Sequence, residues 1–406
     1  MKIMSVNTGS SSLKFALYDF DRKDVIATGL FERIGNEGSG YSVKFGGEKY
    51  NETAEIPDHS AAVSILMDKL ISLGIVESLN GIEGIGHRVV QGIHKFNKSV
   101  IITEDVIREI EGLQKFAPLH NPPAVKGIRA FREAFMGVPM VAVFDTAFHQ
   151  TMESESYLYP VPLSWYQEHA VRKYGFHGIN HQYVANVIQH FKQTARFNMI
   201  SCHIGSGASA CAIKNMRCVD TSMGFTPLAG LMMGSRSGDI DPSIIPYIME
   251  AEGKTAEEVI WELNQNSGLY GISGASDMRD ILELCEEGDQ HALLVRRMFV
   301  RRIVNYIAQY FVLLGGADTI VFTGGIGENS PDIRWEICEK LECLGLLLDP
   351  IKNETRGELA SISTRHSKMT AYVIPANEEL MIALDVYRIV DGNNDDVTGR
   401  LLDGWM

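Results

Sequence analysis

The chain has 406 residues, 45% of them hydrophobic, enough for two packed domains of ordinary size. Its 37 basic and 51 acidic residues leave a net charge of −14. That balance argues against nucleic acid or an anionic membrane as partner, and it requires any anionic substrate to bind at a local basic island.

The first predicted element is a hairpin. Two apolar runs, Lys2–Val6 and Phe15–Tyr18, flank Asn7-Thr8-Gly9-Ser10-Ser11-Ser12-Leu13-Lys14. The Gly- and Ser-rich turn offers N–H and hydroxyl donors, and Lys14 adds a charge, a combination that suits phosphate oxygens. Val25–Phe31 and Tyr41–Phe45 alternate as further strands. Ser60–Leu73 carries Ala61, Ile65, Leu66 and Leu70 at helical spacing, and Ile85–Val90 reads as a strand ending at Gln91-Gly92. Glu104–Phe116 reads as a helix broken by Pro118. Asn121 is the expected N-cap of a helix through Phe135, with Pro122 at its first position. Val138–Phe144 is a buried strand running into Asp145.

The second half restarts this plan. Met199–Ser206 aligns with Ile3–Ser10 at an offset of 203 − 7 = 196, placing Ser5 on Ser201, Gly9 on Gly205, Ser10 on Ser206 and, further on, Ala16 on Ala212. The expectation is a duplication with two phosphate-facing hairpins. Thr319–Phe322 is a strand ending in Thr323-Gly324-Gly325-Ile326-Gly327-Glu328-Asn329, and Ser330 caps a helix that has Pro331 in its first turn. Strand, glycine loop and helix N-terminus together accept a nucleotide or another anion. Asn377-Glu378-Glu379 opens a last helix to about Val390, and Asp391–Asp396 is a polar tail without apolar anchors.

The six cysteines, Cys202, Cys211, Cys218, Cys285, Cys338 and Cys343, form no C-x-x-C pair and suit a reducing compartment. With no signal peptide and no apolar run of membrane-spanning length, a cytoplasmic location is expected. His177 and His181 are spaced i, i+4, but Gly178 weakens a helix there and no third ligand is evident, so no zinc pair is expected.

Further segments are dense in charges and donors: GHRVVQG (Gly86–Gly92), APLHNPP (Ala117–Pro123), VFDTAFH (Val143–His149), KYGFHGINH (Lys173–His181) and DTSMGFTPLAGLMMGSRSGDIDP (Asp220–Pro242). With NTGSSSLK and FTGGIGEN, they resemble the acetate kinase family in order and spacing over nearly the whole chain. The family belongs to the acetate and sugar kinase, heat-shock chaperone and actin superfamily. The resemblance implies an α/β fold: two duplicated ribonuclease H-like domains of the actin-like ATPase type flanking a central cleft. The expected division is 1–148 plus 376–406 as the carboxylate-substrate domain and 149–375 as the nucleotide-binding domain. The implied reaction is reversible transfer of a phosphoryl group from ATP to acetate, giving acetyl phosphate and ADP.

The same resemblance implies roles by position. Asn7 and Glu378 lie on the side of a Mg²⁺ (or Mn²⁺) ion. Lys14, with Ser10 and Ser12, contacts nucleotide phosphate. Arg88 grips the substrate carboxylate, and Asp145 is the catalytic aspartate. His177 and Arg236 stabilise the phosphoryl group in flight, and His120 is a further active-site histidine. His203, Ile204, Gly205, Ser206 and Gly207 form the second phosphate loop. Asp277, Met278 and Arg279, with Gly325, Ile326, Gly327, Glu328 and Asn329, contact adenosine and ATP. Val90, Leu119, Phe176 and Pro227 surround the substrate methyl group. A homodimer is implied as well.

The chemistry agrees on independent grounds. A carboxylate attacking a γ-phosphate brings two anions together, and cations must offset that repulsion. Arginine's planar fork matches both groups. The nucleophile is already ionised at neutral pH, so Asp145 is expected to orient and to act electrostatically rather than to abstract a proton. Three departures from the family pattern stand out. Ser206 replaces an asparagine and reaches less far; Gln91 replaces a histidine and carries no charge; Asn180 replaces a small hydroxyl residue. Alternatives are a propionate or butyrate kinase, a pyrophosphate-dependent form, or a non-enzymatic nucleotide switch. Val90 favours acetate, because a smaller residue there is associated with propionate preference in the family.

Overall fold

Continuous apolar runs make the interior strands, and glycines decide which helix lies on them. The computed structural model describes residues 1–118, 120–392, 402, 404 and 405. The chain divides into two units, 1–148 with 178–190 and 377–406, and 149–177 with 191–376.

In the first unit β1 (Lys2–Thr8), β2 (Ser12–Asp19), β3 (Asp24–Glu32), β4 (Gly40–Phe45), β5 (Glu48–Thr53), β6 (Gly84–Val89), β7 (Val100–Ile101) and β8 (Met140–Phe144) form one sheet in the order β5-β4-β3-β2-β1-β6-β8-β7. β1 and β2 are antiparallel, with Asn7 opposite Lys14, and β1, β6 and β8 run parallel. All five residues of β8 are buried, as expected of an interior parallel strand covered on both faces. Gly84 and Gly86 leave one face of β6 bare. A Cβ there would stand 2.7 Å from Val386 and 2.4 Å from Ile382, so the helix Glu378–Val390 lies directly on the strand. This close packing sets the start of that helix beside Arg88.

In the second unit β9 (Asn198–Ile204), β10 (Ala208–Lys214), β11 (Arg217–Thr221), β12 (Thr319–Thr323), β13 (Ala360–Ser361) and β14 (Thr370–Val373) form a sheet in the order β11-β10-β9-β12-β14-β13. The plan repeats that of β3-β2-β1-β6-β8-β7: three antiparallel strands, two more parallel to the first, and a short antiparallel edge strand. β9 starts and stops 198 − 2 = 204 − 8 = 196 residues after β1, the offset read from the sequence. The duplication is therefore borne out strand by strand.

Several local expectations need correction. The helix expected to start after an Asn121 cap includes Asn121, with His120 at the cap position. The amide of Asn121 is committed elsewhere, accepting from Gln91 N (3.1 Å) and donating to Gln91 O (3.0 Å). The helix from Glu104 ends at Gly112 and gives way to a tight 3-10 turn, Gln114–Phe116. The glycine loop after β12 is a short helix, Gly324–Asn329. Its start is held by the Glu328 carboxylate, which accepts from Gly324 N (2.7 Å) and Ala376 N (2.9 Å). Ser330 sits at the cap of Pro331–Glu339, but its buried hydroxyl makes no cap bond. Gly178–His190 belongs with the first unit rather than the second: Gly178 N donates to Asp145 O (3.0 Å), and the Asn186 amide meets Met381 Sδ at 3.4 Å. Leu119 and most of the polar tail, from residue 393 on, lie outside the described residues.

Candidate active site

In the first unit Arg88, near the end of β6, collects three oxygen-bearing side chains. Its Nε donates to Asp145 Oδ1 at 3.1 Å and its Nη2 to Asp145 Oδ2, while Nη1 lies 3.4 Å from Asn7 Oδ1. The Glu378 carboxylate stands 3.8 Å from Nε. Asp145 directly follows β8 and is 1% exposed. Asp145 and Glu378 hold the guanidinium's pKa above its ordinary value although burial opposes this. The charge balance is nonetheless negative. Burial pushes Glu378 up to about 7 against the pull of Arg88, helped by Asp145 and Glu379. Lys14 pairs with Glu379. Ser10 is exposed at the first turn, where Gly9 N donates to Ser12 O (2.9 Å) and Gly9 O meets His59 Nε2 (2.9 Å).

A proton-linked consequence follows for Glu378. Its folded pKa of about 7 exceeds the ordinary 4.5, so the folded state binds this proton more tightly than the unfolded chain. Ionising it costs stability, which falls as pH rises from about 4.5 to about 7. Glu378→Gln is expected to flatten that fall and to raise the melting temperature near pH 8 when divalent ions are absent. Denaturant melts across the range check this, and an unchanged pH slope in the variant would refute it.

In the second unit His177, His203, Arg236 and the β9–β10 turn come together. The rings of His177 and His203 lie 4.2 Å apart, and His177 Nδ1 is 2.9 Å from Ser209 Oγ. A Cβ at Gly207 would stand 3.5 Å from His177 Nε2 and 3.7 Å from Arg236 Nη1, so the bare backbone keeps this space open between them. His177 adopts a left-handed φ of +57°, uncommon for a residue with a side chain and a feature that clusters at functional sites. Arg236 has no carboxylate partner among the described residues. Its Nη1 donates to Pro227 O at 3.3 Å and lies 3.8 Å from Met233 Sδ, and burial lowers its pKa. A desolvated guanidinium without a counter-ion is a ready anion site.

Beside this cluster a pocket of about 620 Å³ is lined by Gly205, Ser206, Asp277, Met278, Arg279, Gly325, Ile326 and Asn329, all singled out from the sequence. A Cβ at Gly205 would stand 3.7 Å from Gly325 N, so the two backbone segments run close together in its lining. Gly327 and Glu328 are not among the lining residues: Gly327 is buried and Glu328 pins the short helix. His203, Ile204 and Gly207 face the histidine–arginine cluster or the core rather than the pocket. Val90 (7% exposed) is buried in the first unit and Phe176 (3%) in the second.

Several residues were missed by sequence reasoning. Ser276, Leu282, Asp332 and Arg356 also line the pocket. Arg334 is fully buried and donates to the carbonyls of Gly327 and Glu328 (both 2.9 Å) and to Asn353 Oδ1 (3.0 Å), clamping the C-terminal end of the short helix. His149 Nε2 lies 2.9 Å from Phe176 O and so fixes the residue before His177.

A hairpin-led mixed sheet present twice, with a pocket at the glycine helix of one copy, is the architecture of the duplicated actin-like ATPase fold. The chain belongs to the acetokinase family, whose model matches residues 2–384. It is 51% identical over 393 residues to the acetate kinase of Anoxybacillus flavithermus, covering 96% of this chain and 99% of that one. Among solved structures it resembles the acetate kinase of Porphyromonas gingivalis, with a TM-score of 0.91 and 40% identity over 96% of this chain and 99% of that one. A propionate kinase from Francisella tularensis is also similar, with a TM-score of 0.90 and 40% identity over 95% and 99% of the two chains.

Proposed function

We propose that the protein transfers the γ-phosphoryl group of ATP to acetate, reversibly, by direct in-line displacement, yielding acetyl phosphate and ADP. The observation that carries this reading is Arg236, a desolvated cation with no counter-ion among the described residues, beside His177 and the glycine turn. Such a group suits the equatorial oxygens of a phosphoryl group in transfer. Arg88 binds the acetate carboxylate through the edge that Asp145 does not occupy. Asp145 holds the fork in place and needs no proton, because acetate is already ionised. His177 donates to the moving phosphoryl group, and His120 assists. The pocket at Gly205, Asp277–Arg279 and Gly325–Asn329 takes adenosine, and Lys14 leaves Glu379 for a phosphate oxygen.

Asn7 Oδ1 and the Glu378 carboxylate are hard oxygen donors, and the raised pKa of Glu378 marks a cluster short of positive charge. This donor set fits Mg²⁺ or Mn²⁺. When bound, the ion would neutralise phosphate charge. Six free cysteines and the lack of any helix long and apolar enough to cross a membrane support a cytosolic setting, among the described residues. The homodimer implied by family resemblance is part of the proposal, and sedimentation would read it.

A hydroxamate assay with acetate, propionate and butyrate, each with ATP or pyrophosphate, tests the reaction. Turnover is expected with ATP in the order acetate, propionate, butyrate. Best turnover with propionate or with pyrophosphate would replace the assignment, and inactivity in folded protein would leave the nucleotide-switch reading. Val90→Ala is expected to shift the acetate-to-propionate ratio of kcat/KM toward propionate by about tenfold or more, since one methylene is worth about 1–3 kcal/mol in an apolar pocket. An unchanged ratio would remove Val90 from the acyl pocket.

A further inference from the structure

The second unit holds a buried group of soft ligands that the phosphotransfer reading does not use. Cys211 lies on β10 and Cys218 on β11. Ile213 pairs with Cys218 and shares its strand face with Cys211, so both thiols emerge on one side of the sheet. A register shift between Ala212 and Ile213 brings the sulfurs to 3.5 Å. His149 sits in the turn Ala147–Thr151, which is tied to β11 because Thr151 Oγ1 donates to Cys218 O at 2.8 Å. All three side chains are at most 1% exposed.

The histidine is set up as a ligand. Its Nε2 lies 2.9 Å from the carbonyl of Phe176, which can only accept, so Nε2 carries the proton. Nδ1 therefore presents its lone pair, 3.2 Å from Cys218 Sγ. An outer hydrogen bond that fixes tautomer and ring orientation is the usual companion of a metal-binding histidine. The three donor atoms all lie within 4.8 Å of one another. Bonds of ~2.3 Å to sulfur and ~2.0 Å to nitrogen would set donors ~3.5–3.8 Å apart around a tetrahedral ion. The Cys211–Cys218 and His149–Cys218 separations, 3.5 and 3.2 Å, are a few tenths of an ångström short of that arrangement. The carbonyl oxygen of Asp220, 3.6 Å from Cys218 Sγ, is at hand as a fourth donor.

We propose that His149, Cys211 and Cys218 form a binding site for one thiophilic divalent d10 cation of the zinc or cadmium class. Charge favours this class: two thiolates and a neutral imidazole sum with a divalent ion to zero, which a dry interior tolerates. Ligand softness separates the site from the oxygen donors at Asn7 and Glu378, which suit magnesium. Binding releases the two thiol protons to solvent. Through Phe176 O it would also hold the backbone just before His177.

The test uses the full chain, reduced, unfolded in denaturant and refolded with cadmium in a large excess of magnesium. Entry into the closed site is then not limiting, and the oxygen donors are saturated. One cadmium per chain should survive desalting, with a thiolate-to-cadmium ultraviolet band and a raised melting temperature. Cys211→Ala and Cys218→Ala should each lose the band, while Cys343→Ser, at an exposed thiol, should keep it. Cadmium-113 NMR of the unmutated protein supplies a readout that needs no variant, and a sulfur-shifted resonance is expected. No band, a band that survives both cysteine variants, or a resonance in the all-oxygen range would overturn the proposal.

Discussion

Arg236→Ala is expected to lower kcat for acetyl phosphate formation by about a hundred- to a thousandfold, the usual cost of one transition-state donor. The variant should fold normally. Among the described residues, Arg236 gives up only a 3.3 Å bond to Pro227 O and a loose contact with Met233 Sδ, and no carboxylate is stranded by its removal. Losing an unpaired, desolvated cation costs no ion pair, so the melting temperature should hold or rise slightly. The KM for acetate should change far less than kcat if, as proposed, the interaction forms with the phosphoryl group in flight. Arg236→Lys should recover only part of the rate: an ammonium restores charge but not the planar fork. Steady-state kinetics with a parallel thermal melt read all of this. A folded Arg236→Ala enzyme within tenfold of the parent rate would remove Arg236 from the transition state.

What was legible in the sequence was local. The apolar runs of β1 and β9 and the turns after them repeat at one offset, and the strands obey it to the residue. The helix opening at Asn377-Glu378-Glu379 was equally readable, and the Asn377 Oδ1 that caps it accepts from Leu380 N only three residues on. The misreadings share a different cause. Asn121 looks like a cap until its amide is seen bonded to Gln91, thirty residues earlier. Gly324–Asn329 looks like a loop, since two adjacent glycines disfavour helix, but Glu328 holds the helix start and Arg334 its end. Arg334 itself reads as an ordinary helix-surface arginine. Nothing nearby in sequence announces that the Asn353 side chain and four backbone carbonyls will receive it. The candidate site divides the same way. Motif residues such as Arg88, His177 and Gly205 stand in segments that resemble the acetate kinase family, and the resemblance marked them. The partners that tune them, Glu378 toward Arg88 and His149 toward Phe176, are set by packing between distant segments.

Arg88→Ala is the more damaging change, because Arg88 neutralises Asp145 and is also the residue proposed to grip the substrate carboxylate. It is the cation that balances Asp145, which is 1% exposed, and it stands 3.8 Å from the carboxylate of Glu378. Removing it leaves the buried Asp145 carboxylate without its cation and raises the Glu378 pKa further, since Arg88 holds it down. Stranding one partner of a buried pair costs about 3–5 kcal/mol, so the melting temperature should fall by many degrees. Activity should fall at least about a thousandfold, with KM for acetate raised as well as kcat lowered, since ground-state binding of the carboxylate is lost along with its alignment. A double-variant cycle separates the two effects. In Arg88→Ala/Asp145→Asn the orphaned charge is gone, so much of the lost stability should return while activity stays low. Additive loss of stability would mean that Asp145 and Arg88 do not balance each other. Restored activity in the double variant would mean that Arg88 serves only to neutralise Asp145, and that acetate is gripped elsewhere.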